Sequence, residues 1–191
     1  CIMDAITPYH LPIKTIAGHS LGEITAYYAA KVIDFDTALR IVIKRGELMG
    51  KAAQNSDGSM AAIIGLDEST IVQILSSIDG VDIANYNSPV QFVISGESNA
   101  VSMATKALDS AGAKRVVALP VSGAFHSPLM ASAVPEFSEF LSSCSFHDAA
   151  TPIVLNRTAS PETNAQKLQE NLSLQIESSV QWINTITTMA N

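Results

Sequence analysis

Ser20 stands between two glycines in Gly18-His19-Ser20-Leu21-Gly22. A G-x-S-x-G pentapeptide supports covalent acyl chemistry when it forms a sharp turn between a strand and a helix. The turn lifts the serine hydroxyl clear of the sheet, where a base can reach it. An apolar lead-in at 13–17 and a helical pattern afterwards supply that context. The glycines leave room for a strained serine backbone. A glycine-bounded helix start, with Ser20 or His19 merely near the cap, fits the same letters. The partners of Ser20 have to decide.

A serine nucleophile needs a general base. The histidines are His10, His19, His126 and His147. His19 adjoins Ser20, and neighbouring side chains diverge on an elbow. His126 lies in SGAFHSPLM, a loop-like stretch with Gly123 and Pro128, after a strand and before a helix. Loops at strand ends are where α/β proteins place catalytic groups. A loop histidine with no task is an equal reading.

Arg45 is the third group. In DTALRIVIKRGELMGKAAQ, Arg40, Lys44, Glu47 and Lys51 share one stripe, the expected solvated face, whereas Arg45 shares a stripe with Ile41, Leu48 and Met49. A guanidinium on an apolar stripe is costly to bury without an anion. An internal carboxylate partner, or a side chain that snorkels outward, is the plainer explanation. The alternative is a planar fork that receives a carboxylate ligand bidentately.

The elements that must position these groups fall into blocks. The first, 1–55, holds the elbow strand, the helix after it and a second helix from 36 to about 54, with Asp34 or Asp36 as its N-cap. In 56–122 the pattern reads strand (58–66), helix (67–79), strands 81–87 and 91–97 split by Ser88-Pro89, helix (99–112) and strand (113–122). That βαββαβ order is the ferredoxin-like unit. The last block, 123–191, carries an apolar-periodic helix, a strand at 151–156 and a helix near 166–176. The expected class is α/β: a core with a parallel sheet, made of 1–55 and 123–191, and a smaller inserted ferredoxin-like subdomain at 56–122.

Of the 191 residues, 47% are apolar and 15% charged, enough for a sizeable core and against disorder. The net charge of −7 disfavours a nucleic-acid partner. Two cysteines, Cys1 and Cys144, are too few for a disulfide framework and fit a reducing compartment; with no membrane-length apolar run and no signal peptide, a cytoplasmic protein is expected. No Cys/His cluster suggests a metal. The chain opens on Cys1 and reaches its elbow almost at once, so it reads as a piece missing both ends.

Together these motifs resemble malonyl-CoA:acyl-carrier-protein transacylases and the acyltransferase domains of fatty-acid and polyketide synthases, over nearly the whole chain. GHSLGE (18–23) is similar to the nucleophile segment, IKRGELM (43–49) to the arginine helix, NSPVQFVISG (87–96) to the small-lobe hairpin and AFHSPLM (124–130) to the histidine loop. The resemblance implies a hydrolase-like core, with Ser20 as nucleophile, His126 as base and a glutamine carbonyl orienting the histidine. Gln175 is the matching position and Gln181 the runner-up. It further implies Arg45 as holder of the malonyl carboxylate, Leu21 as an oxyanion-hole amide, and Phe125 as a mark of malonyl selectivity. The family's N-terminal Gly-Gln-Gly segment is absent, and a strand and helix after VQW are expected to be absent too.

The implied activity is ping-pong transfer of malonyl from malonyl-CoA to the phosphopantetheine thiol of acyl carrier protein, through a malonyl-serine, by a monomer with no cofactor. Lys114-Arg115 and Lys44/Lys51 are candidate docking cations for the acidic carrier. Two rivals stand beside it. A serine hydrolase or thioesterase would need an acid between nucleophile and histidine; Asp82 and Asp109 lie there in sequence, but both fall inside the smaller subdomain, far from a plausible dyad. A catalytically dead carrier-docking piece needs no site at all.

Overall fold

A computed structural model describes residues 12–191. Cys1 and His10 lie outside the described residues. Helix α1 (Leu21–Ala29) starts directly at Ser20, and α2 (Phe35–Gln54) follows after a short turn. Asp34, rather than Asp36, caps α2: its Oδ1 accepts the Thr37 N–H at 2.7 Å. The buried side of α2 carries Ile41, Arg45, Leu48 and Met49, as the sequence stripe requires.

Next come β1 (Gly58–Ile64), α3 (Glu68–Leu75), β2 (Val81–Ser88), β3 (Gln91–Glu97), α4 (Ser98–Ser110) and β4 (Arg115–Ala118). The four strands form one sheet in the order β2-β3-β1-β4, with every neighbouring pair antiparallel. Alternate residues face opposite ways. Ala61, Ile63, Phe92 and Ile94 pack with Ile71, Val101 and Leu108 of the two helices. Met60, Ala84 and Val93 face the other side, where Leu119 and Phe125 meet them. That second face turns the sheet toward the chemistry.

The strand expected at 113–122 is shorter. Leu119 still donates to Met60 O, but Pro120 has no N–H with which to continue the ladder. After it a 3₁₀ turn (Pro128–Ala133) leads into α5 (Val134–Ser142). The strand expected at 151–156 reduces to β5 (Ile153–Val154), paired antiparallel with β6 (Pro161–Glu162). Pro152 lacks a donor, and Leu155 N turns aside to Ser160 O. Among the described residues the expected parallel pairing survives as a single bridge, Ile16 to Ile153. A second parallel bridge, Asn85 to Val180, ties the antiparallel sheet to the segment before the last helix.

Helix α6 (Ala165–Gln175) is capped by Asn164. It is followed by α7 (Trp182–Ala190), a helix that the sequence pattern did not indicate. Its WINTITTMA sequence is rich in β-branched residues of modest helix propensity. Packing supplies the difference: Thr185 is fully buried and Ile183 joins the cluster under the antiparallel sheet. A separate cluster joins α1, α2, α5 and α6 through Tyr27, Leu48, Phe137, Leu141 and Leu172. No helix among the described residues is long and apolar enough to cross a membrane.

Candidate active site

Ser20 takes φ 51°, ψ −108°, a left-handed conformation that a side-chain-bearing residue adopts only under constraint. It sits at the N-cap position of α1, yet its side chain makes no capping bond. The plain cap reading fails there, and the hydroxyl is free for other work. The two glycines are not equivalent. A Cβ on Gly18 would run into the Gly22 carbonyl, whereas one on Gly22 would meet open space. Close approach at Gly18 is what closes the elbow.

His126, beyond the antiparallel sheet, reaches back to this turn. Its Nε2 lies 2.7 Å from Ser20 Oγ. Its Nδ1 lies 3.0 Å from the Gln175 carbonyl and 3.1 Å from the Ser178 carbonyl. Two carbonyl oxygens can only accept, so the proton sits on Nδ1 and Nε2 is the acceptor for the serine O–H. The backbone of His126 is also left-handed, at φ 58°, and its N–H is tied to Ile176 O. Burial, then the nearby Arg45 cation, pushes the imidazole down to about 4, so it stays neutral near pH 7. Among the described residues no carboxylate completes a triad: Asp82 lies exposed on β2 and Asp109 on the exposed end of α4.

Arg45 is buried, at 7% exposure. No carboxylate among the described residues pairs with it, so the internal ion pair is not what keeps it there. Its Nη2 donates to Ser20 Oγ at 3.0 Å and to Gln175 Oε1 at 3.1 Å. Its Nε is buried without a partner. Burial lowers its pKa to about 10, offset in part by the charge of Glu23, and it remains a cation at neutral pH.

Gln175 serves the site twice. Its main-chain carbonyl holds His126, while its side chain accepts from Arg45 and donates from Nε2 to Ser20 O at 3.0 Å. Gln181 is elsewhere: it is the N-cap residue of α7, its N–H goes to Asn156 O, and its side chain accepts from Asn184. Among the described residues the Leu21 N–H has no hydrogen-bond partner; as the first amide of α1 it points out of the helix end beside Ser20. His19 lines the same cleft, with its Nε2 2.8 Å from Asn87 Oδ1 and its ring edge-to-face with Trp182. His147 lies far along the chain surface beside Asp34 and Lys31.

Two residues in this centre escaped the sequence reading. Asn156, fully buried, accepts the Ser20 N–H on Oδ1 at 2.6 Å and donates from Nδ2 to Gly18 O at 2.7 Å. Glu23, also buried, accepts the Asn156 N–H at 2.9 Å. Burial pushes the Glu23 carboxyl up to about 7, against the hydrogen bonds from Asn156, Gln175 and Tyr27 and the pull of Arg45. The signal for Glu23 was its place in the first turn of a helix, one turn before Tyr27 on the buried side. Asn156 offered only a polar residue ending an apolar run.

Ser20, Arg45 and His126 open on a cleft of about 430 Å³, closed by Met49, Met60, Leu119 and Phe125. It has room for a small acyl group and part of its carrier. Of the candidate docking cations, Lys44 and Lys51 both reach Glu136, Lys44 at 2.7 Å, while Lys114 packs its stem on Gly65.

A strained serine at the start of a helix, a histidine held by carbonyls and a buried arginine with an unused Nε thus meet at one cleft. The sequence model of the acyl transferase domain family matches residues 11–190, and the chain belongs to that family. It is 42% identical over 174 residues to a malonyl CoA-acyl carrier protein transacylase of Synechocystis, covering 91% of this chain and 57% of that protein. It is also 42% identical over 173 residues to the polyketide biosynthesis protein ThaF of Burkholderia thailandensis, covering 90% of this chain and 15% of that one. The fold superposes on an acyl carrier protein S-malonyltransferase from Vibrio cholerae with a TM-score of 0.94 at 36% identity, spanning 99% of this chain and 63% of the other. It does so equally, at 0.94 and 35% identity, on a malonyl-transacylase solved in complex with a type II polyketide acyl carrier protein, 62% of which is spanned. The chain thus spans less than two thirds of the length of these relatives.

Proposed function

We propose that this chain carries the acyl-transfer site of a malonyl-CoA:acyl carrier protein S-malonyltransferase. The observation that carries the reading is the pairing of a Ser20–His126 dyad with a buried Arg45 whose guanidinium has donors to spare. A hydrolase has no reason to keep a buried cation beside its nucleophile; an enzyme for a dicarboxylic half-thioester does. The names of the relatives point the same way.

In the first half-reaction Ser20 Oγ attacks the malonyl thioester carbonyl, and its proton passes to His126 Nε2. The Leu21 N–H faces the developing oxyanion. The C–S bond breaks, and coenzyme A leaves as the thiol with the proton from His126. In the second half-reaction the phosphopantetheine thiol of acyl carrier protein gives its proton to His126, its sulfur attacks the malonyl-serine ester, and Ser20 recovers its proton. Arg45 holds the free carboxylate throughout. Its bond to Ser20 Oγ also favours the ionising hydroxyl. Every proton moves between the substrate thiols, Ser20 and His126, so the reading calls for no cofactor.

The same reading assigns 1–55 and 123–191 to a hydrolase-like subdomain and 56–122 to a ferredoxin-like one, supported by the two separate cores and the β2-β3-β1-β4 order. It places the protein in the cytoplasm as a monomer, where malonyl-CoA and carrier meet.

Intact-protein mass spectrometry tests it. Malonyl-CoA should add one malonyl group to the wild type and none to Ser20→Ala, and phosphopantetheinylated carrier should remove the group from Ser20. Loss of the group to water at the same rate without carrier would make the chain a hydrolase. Equal labelling of Ser20→Ala would remove the nucleophile.

A further inference from the structure

We propose that Asn156 is the positioning residue of the nucleophile elbow: its carboxamide bridges Gly18 O and Ser20 N across the turn and so holds Ser20 where its hydroxyl meets His126. The inference rests on Ser20 being the nucleophile, but not on which acyl group it takes.

The turn presents one main-chain donor and one acceptor to the same side. Ser20 N–H goes to Asn156 Oδ1 at 2.6 Å, and Gly18 O receives Asn156 Nδ2 at 2.7 Å. Only a short side chain with an acceptor and a donor side by side fits both. An aspartate could take the first bond and would repel the second. A leucine of similar size would leave a buried N–H and a buried carbonyl unpaired. The orientation of the amide follows from its partners, since an N–H must face oxygen and a carbonyl must face nitrogen.

Asn156 is itself held at both main-chain ends. Its N–H is fixed by Glu23 Oε2 at 2.9 Å, and its carbonyl accepts Gln181 N–H at 2.8 Å. Glu23 belongs to α1, the helix that Ser20 starts, so the brace closes on the element it positions. A left-handed serine relaxes unless its surroundings over-determine it. Here the Gly18–Gly22 contact and the Asn156 bridge do so from two sides. The bridge also occupies the Ser20 N–H, which leaves the Leu21 N–H as the donor the elbow can offer an oxyanion.

The informative variant is Asn156→Asp, because a protonated aspartic acid again has one donor and one acceptor. Reaction of Ser20 with phenylmethylsulfonyl fluoride reads the nucleophile whatever its natural acyl donor, and malonyl-CoA acylation is followed in parallel. At pH 8 Asn156→Asp should label about 10²-fold more slowly than wild type, the scale of a misplaced reacting group. The ratio to wild type should recover as pH falls to 5, a range in which His126 remains neutral. Asn156→Ala should be slow at both pH values, and the KM for malonyl-CoA should stay within a few-fold. A ratio for Asn156→Asp that is flat with pH, or wild-type labelling by Asn156→Ala, overturns the proposal. A second measurement needs no variant: by NMR the Ser20 amide proton of the wild type should exchange slowly, and free exchange would also overturn it. Failure of the wild type to take malonyl would count against the transferase reading alone, since sulfonyl labelling still reports on the elbow.

Discussion

Arg45 Nη2 lies 3.0 Å from Ser20 Oγ, so a buried cation and the nucleophilic hydroxyl share a hydrogen bond. A ligand carboxylate arriving at this guanidinium sits beside the atom that attacks. In the proposed transferase, substrate selection and nucleophile activation would therefore share one contact.

Replacing Arg45 by alanine should separate two acyl donors. Each charge-assisted bond to a carboxylate contributes about 1.5–3 kcal/mol. Losing two lowers malonyl transfer by roughly 10²–10⁴ at ~1.4 kcal/mol per decade. Acetyl has no carboxylate and loses only the Arg45 bond to Ser20 Oγ, so acetyl transfer should fall far less than malonyl transfer. Because no carboxylate among the described residues forms an ion pair with Arg45, the thermal midpoint should not collapse. Parallel loss of both activities with a lowered midpoint would return Arg45 to a purely structural role.

Gln175→Ala tests the division between main chain and side chain. The carbonyl that holds His126 survives the change, so sulfonyl labelling of Ser20 should fall less than about tenfold. The support under Arg45 is lost, so malonyl acylation should fall by one to two further decades, on the scale of a hydrogen bond to a charged group. Gln181→Ala should alter neither rate by more than a few-fold. Equal losses for both reagents in Gln175→Ala would show that the side chain serves the dyad instead.

The acylation rate should follow a base with an unusually low pKa. His126 is neutral above its folded value of about 4, so acylation should persist from pH 8 down to pH 5 and halve near 4 rather than near 6.5. Arg45 contributes to that depression, and Arg45→Ala should move the midpoint upward. A wild-type midpoint at 6.5, measured by rapid-quench labelling, would mean that the imidazole is solvated.

Glu23 gives stability a pH dependence of defined sign. Its carboxyl rises from 4.5 to about 7 on folding, so between those values the folded chain keeps a proton that the unfolded chain has released. Stability from this group is complete below pH 4.5 and is lost as pH rises through 7, by about 3 kcal/mol at 1.36 kcal/mol per unit. His126 works in the opposite direction, losing stability as pH falls from 6.5 toward 4. Glu23→Gln removes the first effect and leaves the second. Relative to wild type, the variant should gain stability between pH 5 and pH 8 in urea unfolding; a pH-independent difference would mean that Glu23 is ionised throughout.

The periodic features carried far in the sequence. The stripe of α2 placed Arg45 inward, the strand and helix alternation of 56–122 foretold the chain order of the elements there, and the elbow pentapeptide placed Ser20 at the start of a helix, although the strand expected before it is a single bridge at Ile16. Each is local, set by side chains within a few turns or one pleat. Boundaries failed where the limiting event was a missing donor or a diverted amide, as at Pro120 and Leu155.

His126 and Gln175 could be matched to Ser20 by motif, but their contact could not be read from spacing. The bonds joining Ser20 to His126 and to Gln175 close loops of 106 and 155 residues, and nothing local encodes such a closure. Helix α7 likewise exists because Thr185 and Ile183 have a surface to bury against, not because TITT favours a helix. The sequence by itself determined which residues could act and which way their helices face. The tertiary structure alone decided that Gln175 supports both Arg45 and His126, that no carboxylate among the described residues forms an ion pair with Arg45, and that Asn156 and Glu23 brace the elbow. Those are the interactions whose geometry depends on several separate elements meeting at once.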